Sequence, residues 1–496
     1  MIYYYKFKKM RTKYIFKPGS NKTLYLLLFP FVILFGCKKF VEIPPPVTQL
    51  VTASVFNNST TATSAQTSIY TQMASNAESY WLALYSGLLA DELTNYSTAT
   101  NMEDYYTNAM NAAVGDIFGR WPNYYNYIYQ ANAVISALQG NGNISPAIEQ
   151  QLIGEAEFVR AFWLFYLTNC YGNAPIVTTT NYTVNASISR SPQAEVYQQI
   201  VSDLTDAQQK LNSNYVDNSD TATTTERTRP DKAVAEAFLA RVYLYMGKYD
   251  SAEIFATEVI NNNSYQLCTN LSPVMGSNSV FLKNSTEVIW QLATPLPAGT
   301  DTYDALYFIL LGAPTTGPSI DNCTTISPQL LGAFEAGDLR RKYWIDSVNA
   351  TAPNYYYPFK YESITNSVSE YVMVFRLAEQ YLIRAESEAR LGDSTDAITD
   401  LNLIRKRAGL TNYSLTNQGP LLAAILHEKQ VELFTEWGHR WFDLIRTGAI
   451  DTVMGAPGNV YSAKGGIGTW NPDWELYPIP PSDRSLDPNL TQNQGY

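Results

Sequence analysis

Residues 378–405 spell out two helices that face each other through small side chains. Ala378, Leu382, Ala385 and Ala389 recur at spacings of four, three and four, which puts them on one side of a helix. Gly392 is suited to end that helix and Asp393 to cap the next, whose inward side carries Ala397, Leu401 and Ile404. The same register appears 145 residues earlier: Ala233, Ala237, Ala240 and Leu244, then Gly247, then Ala252, Ala256 and Val259. A helical hairpin cannot bury its own apolar side. Copies must therefore stack on one another, and alanine lets their axes approach closely.

The geometry is tetratricopeptide-like, although the copies, at 233–260 and 378–405, are not in tandem. The fold class expected is mainly α: a scaffold of such hairpins with long irregular loop insertions and a few short strands. Helical spacing also runs from Thr63 to Leu89, from Trp121 to Leu138 and from Ile148 to Cys170. Ser191 and Pro192 read as a cap and first turn for a helix with Tyr197, Ile200, Leu204, Ala207 and Leu211 inward. Residues 91–111 and 213–229 read as polar loops. Between about 261 and 370 the helical pattern lapses into a Gly-, Pro- and aromatic-rich stretch with strand-like fragments at 287–293 and 355–362. An irregular insertion on a rigid scaffold is a natural place for a ligand-facing surface.

The first 36 residues contain seven Lys or Arg and no acid, followed by an apolar run from Leu24 to Gly36. Its 13 residues are too few for a bilayer span, which needs about 20, and fit a signal-peptide core. Leu34, Phe35, Gly36 and Cys37 resemble a lipoprotein box, in which the Cys37 sulfur is acylated and becomes the first mature residue. Residues 37–60 then form an extended tether, because Pro44, Pro45 and Pro46 exclude helix. Residues 61–496 are expected to be a single domain.

Loss of the leader leaves 27 basic residues against 45 carboxylates, a formal charge of −18. Such a body should not bind nucleic acid and is repelled by anionic lipid, so the acyl chains must hold it to the membrane. Cys170, Cys268 and Cys323 are far apart in sequence and make neither a disulfide framework nor a zinc site; they read as buried thiols, with one bridge open to them.

The lipobox, the proline-rich tether, RLAEQYLIRAESEARLGD, ITDLNLIRKRAGL, EKQVELFTEWGHRWFDLIRTG and the terminal LYPIPPSD and LDPNLTQNQGY together resemble the SusD-like (RagB/SusD) nutrient-binding outer-membrane lipoproteins. The resemblance implies a lipid-anchored protein on the outer face of the outer membrane. It would capture an oligosaccharide or polysaccharide for a SusC-like TonB-dependent transporter, with RagB-like capture of peptides as the alternative. It also implies two ligand-facing zones: Trp81 and Tyr85 beside the Asp91 to Asn95 loop, and Tyr303, Tyr307 and Trp344 in the insertion.

The abundance of aromatic side chains, with 37 Tyr, 20 Phe and 9 Trp, suits such a role. Sugar rings stack their C–H faces on aromatic rings while Tyr, Asn and Asp match their hydroxyls. Trp121, Trp163 and Trp441 fall on helical core stripes and are set aside. Glu428, Glu432, Glu436 and Arg440, four apart, read as one helical charge stripe. Glu436 and Arg440 should pair with each other and with Arg384, Glu386 or Arg160 on neighbouring helices.

Catalysis is not expected. A surface glycoside hydrolase would need two carboxylates converging in a cleft, and no paired motif is present. The two histidines, His427 and His439, are not in an HExxH arrangement, and there is no GxSxG nucleophile motif. Neither a metal nor another cofactor is expected.

Overall fold

The computed structural model describes residues 55–112, 120–272, 278–293, 301–349, 354–365, 368–415 and 420–496. The leader, Cys37 and the tether up to residue 54 lie outside these. In chain order the first elements are α1 (Ser59–Ser75), α2 (Glu78–Leu89), β1 (Leu93–Asn95), α3 (Thr100–Tyr106), α4 (Arg120–Leu138) and α5 (Pro146–Tyr171). Then come α6 (Tyr182–Asn185), α7 (Gln193–Lys210), α8 (Lys232–Tyr245), α9 (Tyr249–Ile260), β2 (Val288–Leu292), α10 (Tyr303–Phe308), β3 (Thr324–Ile326), α11 (Pro328–Ala333) and α12 (Leu339–Tyr343). The last are β4 (Ile345–Asn349), β5 (Asn354–Pro358), β6 (Val372–Arg376), α13 (Leu377–Leu391), α14 (Ser394–Arg407), α15 (Leu421–Leu433), α16 (His439–Arg446), α17 (Ile450–Met454), α18 (Val460–Ala463) and α19 (Pro481–Leu486).

Both hairpins form where the small-residue register puts them. Gly392 closes α13 in the left-handed region at φ 95°, and the Asp393 carboxylate accepts from Asp396 N to start α14. Gly247 does the same after α8 at φ 67°, but α9 begins without a side-chain cap. Ala240, Leu244, Ala252 and Ala256 form one apolar cluster with Ile383 of α13, so the hairpins stack directly on each other. Ala385, Ala397 and Leu401 pack in turn with Ile425 of α15.

The core centres on α5, which is buried nearly all round; its apolar run from Ala161 to Leu167 packs on every side, and its charged Glu155, Glu157 and Arg160 are paired with Arg229, Lys210 and Asp203. Ser145 caps it, Pro146 occupies its first turn, and Gly172 ends it. From it Phe158 and Phe162 meet Phe238, Trp290 and Phe375 edge-on or tilted, and Trp163 stacks on Tyr124 and Tyr127.

Several local expectations are corrected. The 63–89 helix is two helices, broken at Ala77 with φ 53°. Residues 91–111 are not only loop but contain β1 and α3. Ser191 is not a cap: α7 starts after Pro192 with no side-chain cap. The 213–229 loop buries Asp220 and Arg229, whose guanidinium pairs with Glu155 at 2.5 Å. Cys170, Cys268 and Cys323 are free, buried thiols.

The region from 261 to 370 is tied into the body by two antiparallel pairs, β1 with β3 (Leu93 opposite Ile326) and β2 with β6 (Leu292 opposite Val372), and folds on itself through a third, β4 with β5 (Ile345 opposite Pro358). Every residue of β2 and β6 is buried, as consecutive apolar runs require.

The charged stripe is not one stripe. α15 stops at Leu433, and Thr435, Trp437 and Gly438 all have positive φ, so Glu436 and Arg440 leave its axis. Arg340 reaches Glu428 at 2.6 Å and Glu432 at 3.0 Å, while Arg376 reaches Glu432 at 2.6 Å, Glu436 at 2.9 Å and Glu287 at 3.1 Å. Arg407 joins Glu287 at 2.6 Å and also pairs with Glu432. Arg440 pairs with Asp91 at 2.7 Å, not with Glu436. The other named partners are engaged elsewhere: Arg384 with Asp400, Glu386 with Arg446, Arg160 with Asp203. Burial works against ionisation of Glu432, but Arg407, Arg376 and Arg340 hold it far below the usual carboxylate range.

Candidate functional site

Trp81 and Tyr85 are four apart on α2, so they share one side of it, and their rings stack at 5.6 Å and 22°. Tyr303 and Tyr307 stand in the same relation on α10, at 5.9 Å and 17°. Thr302 starts that short helix by accepting from Ala305 N at 3.0 Å. The two helices meet through these rings. Tyr307 lies 6.3 Å from Trp81 and 4.8 Å from Tyr80, and Phe308 lies 5.0 Å from Tyr80.

Trp81, Tyr303 and Tyr307 are half-buried, whereas Tyr80 and Tyr85 are buried beneath them. The open rings rest on a second tier: Tyr85 stacks on Tyr105 at 4.1 Å, and Tyr105 meets Tyr477 edge-on. The Arg120 guanidinium sits 5.8 Å from the Trp81 ring and is held by Glu78 at 2.7 Å. Burial, then Asp321 and Tyr303, raises the Tyr307 hydroxyl above its ordinary value, so it stays protonated at neutral pH and can both donate and accept.

The other nominated residues are placed differently. Trp344 is 2% exposed, edge-on to Phe281 at 5.3 Å and 5.0 Å from the Lys360 ammonium. It is a core ring beneath the buried ion pairs and has no face to offer, which corrects its nomination. Asp91 is also buried. Despite burial, its bond to Arg440 holds it below the usual carboxylate range, so it serves the helix junction and not a ligand. Asn95 is half-buried on β1, its side chain closed on Ser97 N and Ser97 O at 2.9 and 2.8 Å. Trp121, Trp163 and Trp441 are buried. Arg120 was not nominated; no local pattern marks a charge that reaches a ring from another helix.

Two other clusters of polar groups are committed to the fold. A cleft of about 250 Å³ runs between α15 and α16, lined by Leu426, Gln430, Leu433, Arg440, Leu444 and Glu92 among others. Lys429 and Asp443 on its wall bond each other at 3.1 Å, and Gln430 and Arg440 both bond Asp91. Glu335, His427 and Glu428 are close enough to share an ion. Arg405, however, bonds Glu335 at 2.6 Å and Glu428 at 3.2 Å, and Arg340 bonds Glu428 at 2.6 Å. His427 Nε2 lies 2.7 Å from Ala333 O, which can only accept, so that nitrogen carries a proton. The set is already neutralised by guanidinium groups and does not fit a metal.

Near the open rings the carboxylates of Glu78 and Asp304 are buried. Burial raises Asp304 to about 7, and it raises Glu78 even with Arg120 opposing. What the site presents is flat apolar surface edged by hydroxyls, a shape suited to stacking against a ring.

The family model described as SusD family matches residues 340–496, and that described as starch-binding associating with outer membrane matches residues 39–244. The chain is 24% identical to SusD-like protein P25 of Formosa agariphila, over 95% of this chain and 99% of the relative. A crystal structure of a SusD superfamily protein from Bacteroides vulgatus is similar with a TM-score of 0.73 at 20% identity, covering 88% of this chain and 99% of that one. A laminarin-binding SusD-like protein is similar with a TM-score of 0.66 at 22% identity, covering 88% and 99%. These structural likenesses bear on the fold. Among the described residues, no helix is long and apolar enough to cross a membrane.

Proposed function

The chain belongs to the SusD family, and from that premise we propose that it is a cell-surface binding protein that captures a glycan nutrient and passes it to a SusC-like TonB-dependent transporter. The observation that carries this reading is the meeting of Trp81 with Tyr303 and Tyr307, half-open and pre-stacked on two helices far apart in sequence. Rings already held in place lose little freedom on binding, so several weak stacking contacts add up to a modest affinity suited to capture and release. The family's starch-binding description and its laminarin-binding relative support a sugar as cargo. Cys37 carries the lipid that holds the protein to the outer membrane, with the platform facing outward. The protein binds without catalysis and needs no metal or other cofactor.

Isothermal titration of the purified chain against laminarin, starch, xylan, mannan and a peptide mixture tests this. Heat from at least one glycan is expected, weakened by Trp81→Ala or Tyr307→Ala by roughly 2- to 10-fold each, the equivalent of one aromatic contact. Binding of peptides with no response to any glycan would replace the sugar by a peptide cargo. New reducing ends after incubation with a glycan would refute the non-catalytic reading.

A further inference from the structure

A second set of aromatic rings stands near the C-terminus, where no helical periodicity marks it. Trp470 and Trp474 are both half-buried, their centroids 6.0 Å apart and their planes at 81°. They form a corner with one indole as floor and the other as wall. Tyr461 backs it, 5.6 Å from Trp474 and 6.1 Å from Trp470, and is itself buried.

The corner is rigidly supported. Trp470 Nε1 donates to Asp451 Oδ1 at 2.8 Å, and its ring meets the core residue Trp441 edge-on at 6.4 Å. Tyr461 donates to Ile467 O at 2.8 Å. Its ring lies so close to Gly466 that a Cβ there would come within 2.4 Å, so only glycine lets the loop fold down onto it. Trp474 rides on the 3-10 turn Pro472–Glu475, which Asn471 starts by accepting from Asp473 N at 3.1 Å. On that turn Asp473 and Glu475 are half-buried, and neither makes an ion pair with the described residues.

Two open indoles at a right angle, with unpaired carboxylates alongside, are poorly suited to a lipid surface or an acidic partner. They suit a neutral, hydroxyl-rich ring, whose C–H face lies on one indole while its edge meets the other and its hydroxyls donate to the carboxylates. We propose that Trp470 and Trp474 form a second glycan-binding site, separate from the Trp81–Tyr303–Tyr307 platform and taking one or two sugar units of an uncharged chain. This rests on the glycan reading above. The two sets share no ring contact among the described residues: Trp470 and Trp474 meet Trp441 and Tyr461, and Lys464, in the loop leading to Trp470, donates to the carbonyls of Leu88, Leu89 and Ala90 at the end of α2, away from Trp81 near its start.

The test uses the full chain labelled with 5-fluorotryptophan, read by fluorine NMR, together with electrophoresis in gels containing laminarin, starch, xylan or mannan. Trp474→Ala and Trp470→Phe assign the resonances, and thermal unfolding shows that each variant is folded. The expected result is that a glycan that retards the chain shifts the Trp470 and Trp474 signals, and still does so in Trp81→Ala/Tyr307→Ala. Retention by that polymer should fall about three- to tenfold in Trp474→Ala, as loss of one stacking contact implies. If the Trp81 signal responds while Trp470 and Trp474 stay silent and retention is unchanged, the second site is refuted and the first reading stands. If a folded chain responds to none of the glycans at any tryptophan, both fall.

Discussion

Glu92 sits between α2 and β1, 2% exposed, with Oε1 lacking any partner among the described residues and Oε2 3.5 Å from Thr435 N. Burial first, and then the neighbouring Asp91 charge, push its carboxyl up to about 8. Because the folded chain holds this proton more tightly than the unfolded one, the stability it contributes is full below the ordinary carboxyl value and is lost as pH rises toward 8. Glu92→Gln keeps the acceptor for Thr435 and removes the titration. It is expected to stabilise the protein at pH 8 by on the order of 3 kcal/mol, with little effect at pH 4, measured by urea unfolding at both values. Glu432 has the opposite sign. Its three arginines depress it, so its stabilisation is present above the ordinary value and fades only in strong acid. Glu432→Ala would leave Arg340, Arg376 and Arg407 short of a buried counter-charge, and a loss of about 3–5 kcal/mol in the same unfolding experiment is expected.

The hairpins depend on residues that are small or free at φ. Gly392 has open space where a Cβ would stand, so Gly392→Ala tests the backbone alone. At φ 95° the substitution should cost about 1 kcal/mol or somewhat more, seen as a lower urea midpoint with unchanged slope. Ala256 tests the packing between copies, being fully buried beside Ala240 and Ile383. Ala256→Leu has no room, and overpacking should destabilise by about 1–3 kcal/mol without altering glycan affinity, because α9 contributes nothing to the aromatic platform. A variant that lost stability and glycan binding together would show that the stack and the platform are coupled.

For the whole molecule the arrangement separates rigidity from recognition. The ion pairs Arg120–Glu78 and Arg440–Asp91 fix the two ends of α2, and the half-open rings lie where α2 and α10 meet. Trp81→Ala and Tyr307→Ala should therefore lower glycan binding with a shift in Tm of only a few degrees, since both side chains are partly solvated. The buried Tyr80 behaves otherwise. Its ring touches Trp81, Tyr307 and Phe308, so Tyr80→Ala should reduce both stability and binding, by calorimetry and titration on the same preparation.

The hairpins could be read from the sequence because the information is local. Spacings of three and four, a glycine at the turn and an acid after it decide which side of a helix is buried, whatever else is nearby. The same locality explains the errors. The four-residue spacing from Glu428 to Arg440 continues through a bend that only the positive φ values at Thr435, Trp437 and Gly438 disclose, and the ion partners come from α12, β6 and α14. In one dimension Trp344 in the irregular insertion and Trp81 on a helix beside a polar loop look equally open to a ligand. One is covered by Phe281 and Lys360 and the other is left half-open, a difference fixed by long-range packing. What the sequence determined alone was the scaffold and the family, since periodicity and motif order survive without coordinates. The open faces, and the pairing of rings more than two hundred positions apart, belong to the tertiary structure, because exposure is set by neighbours that chain order does not specify.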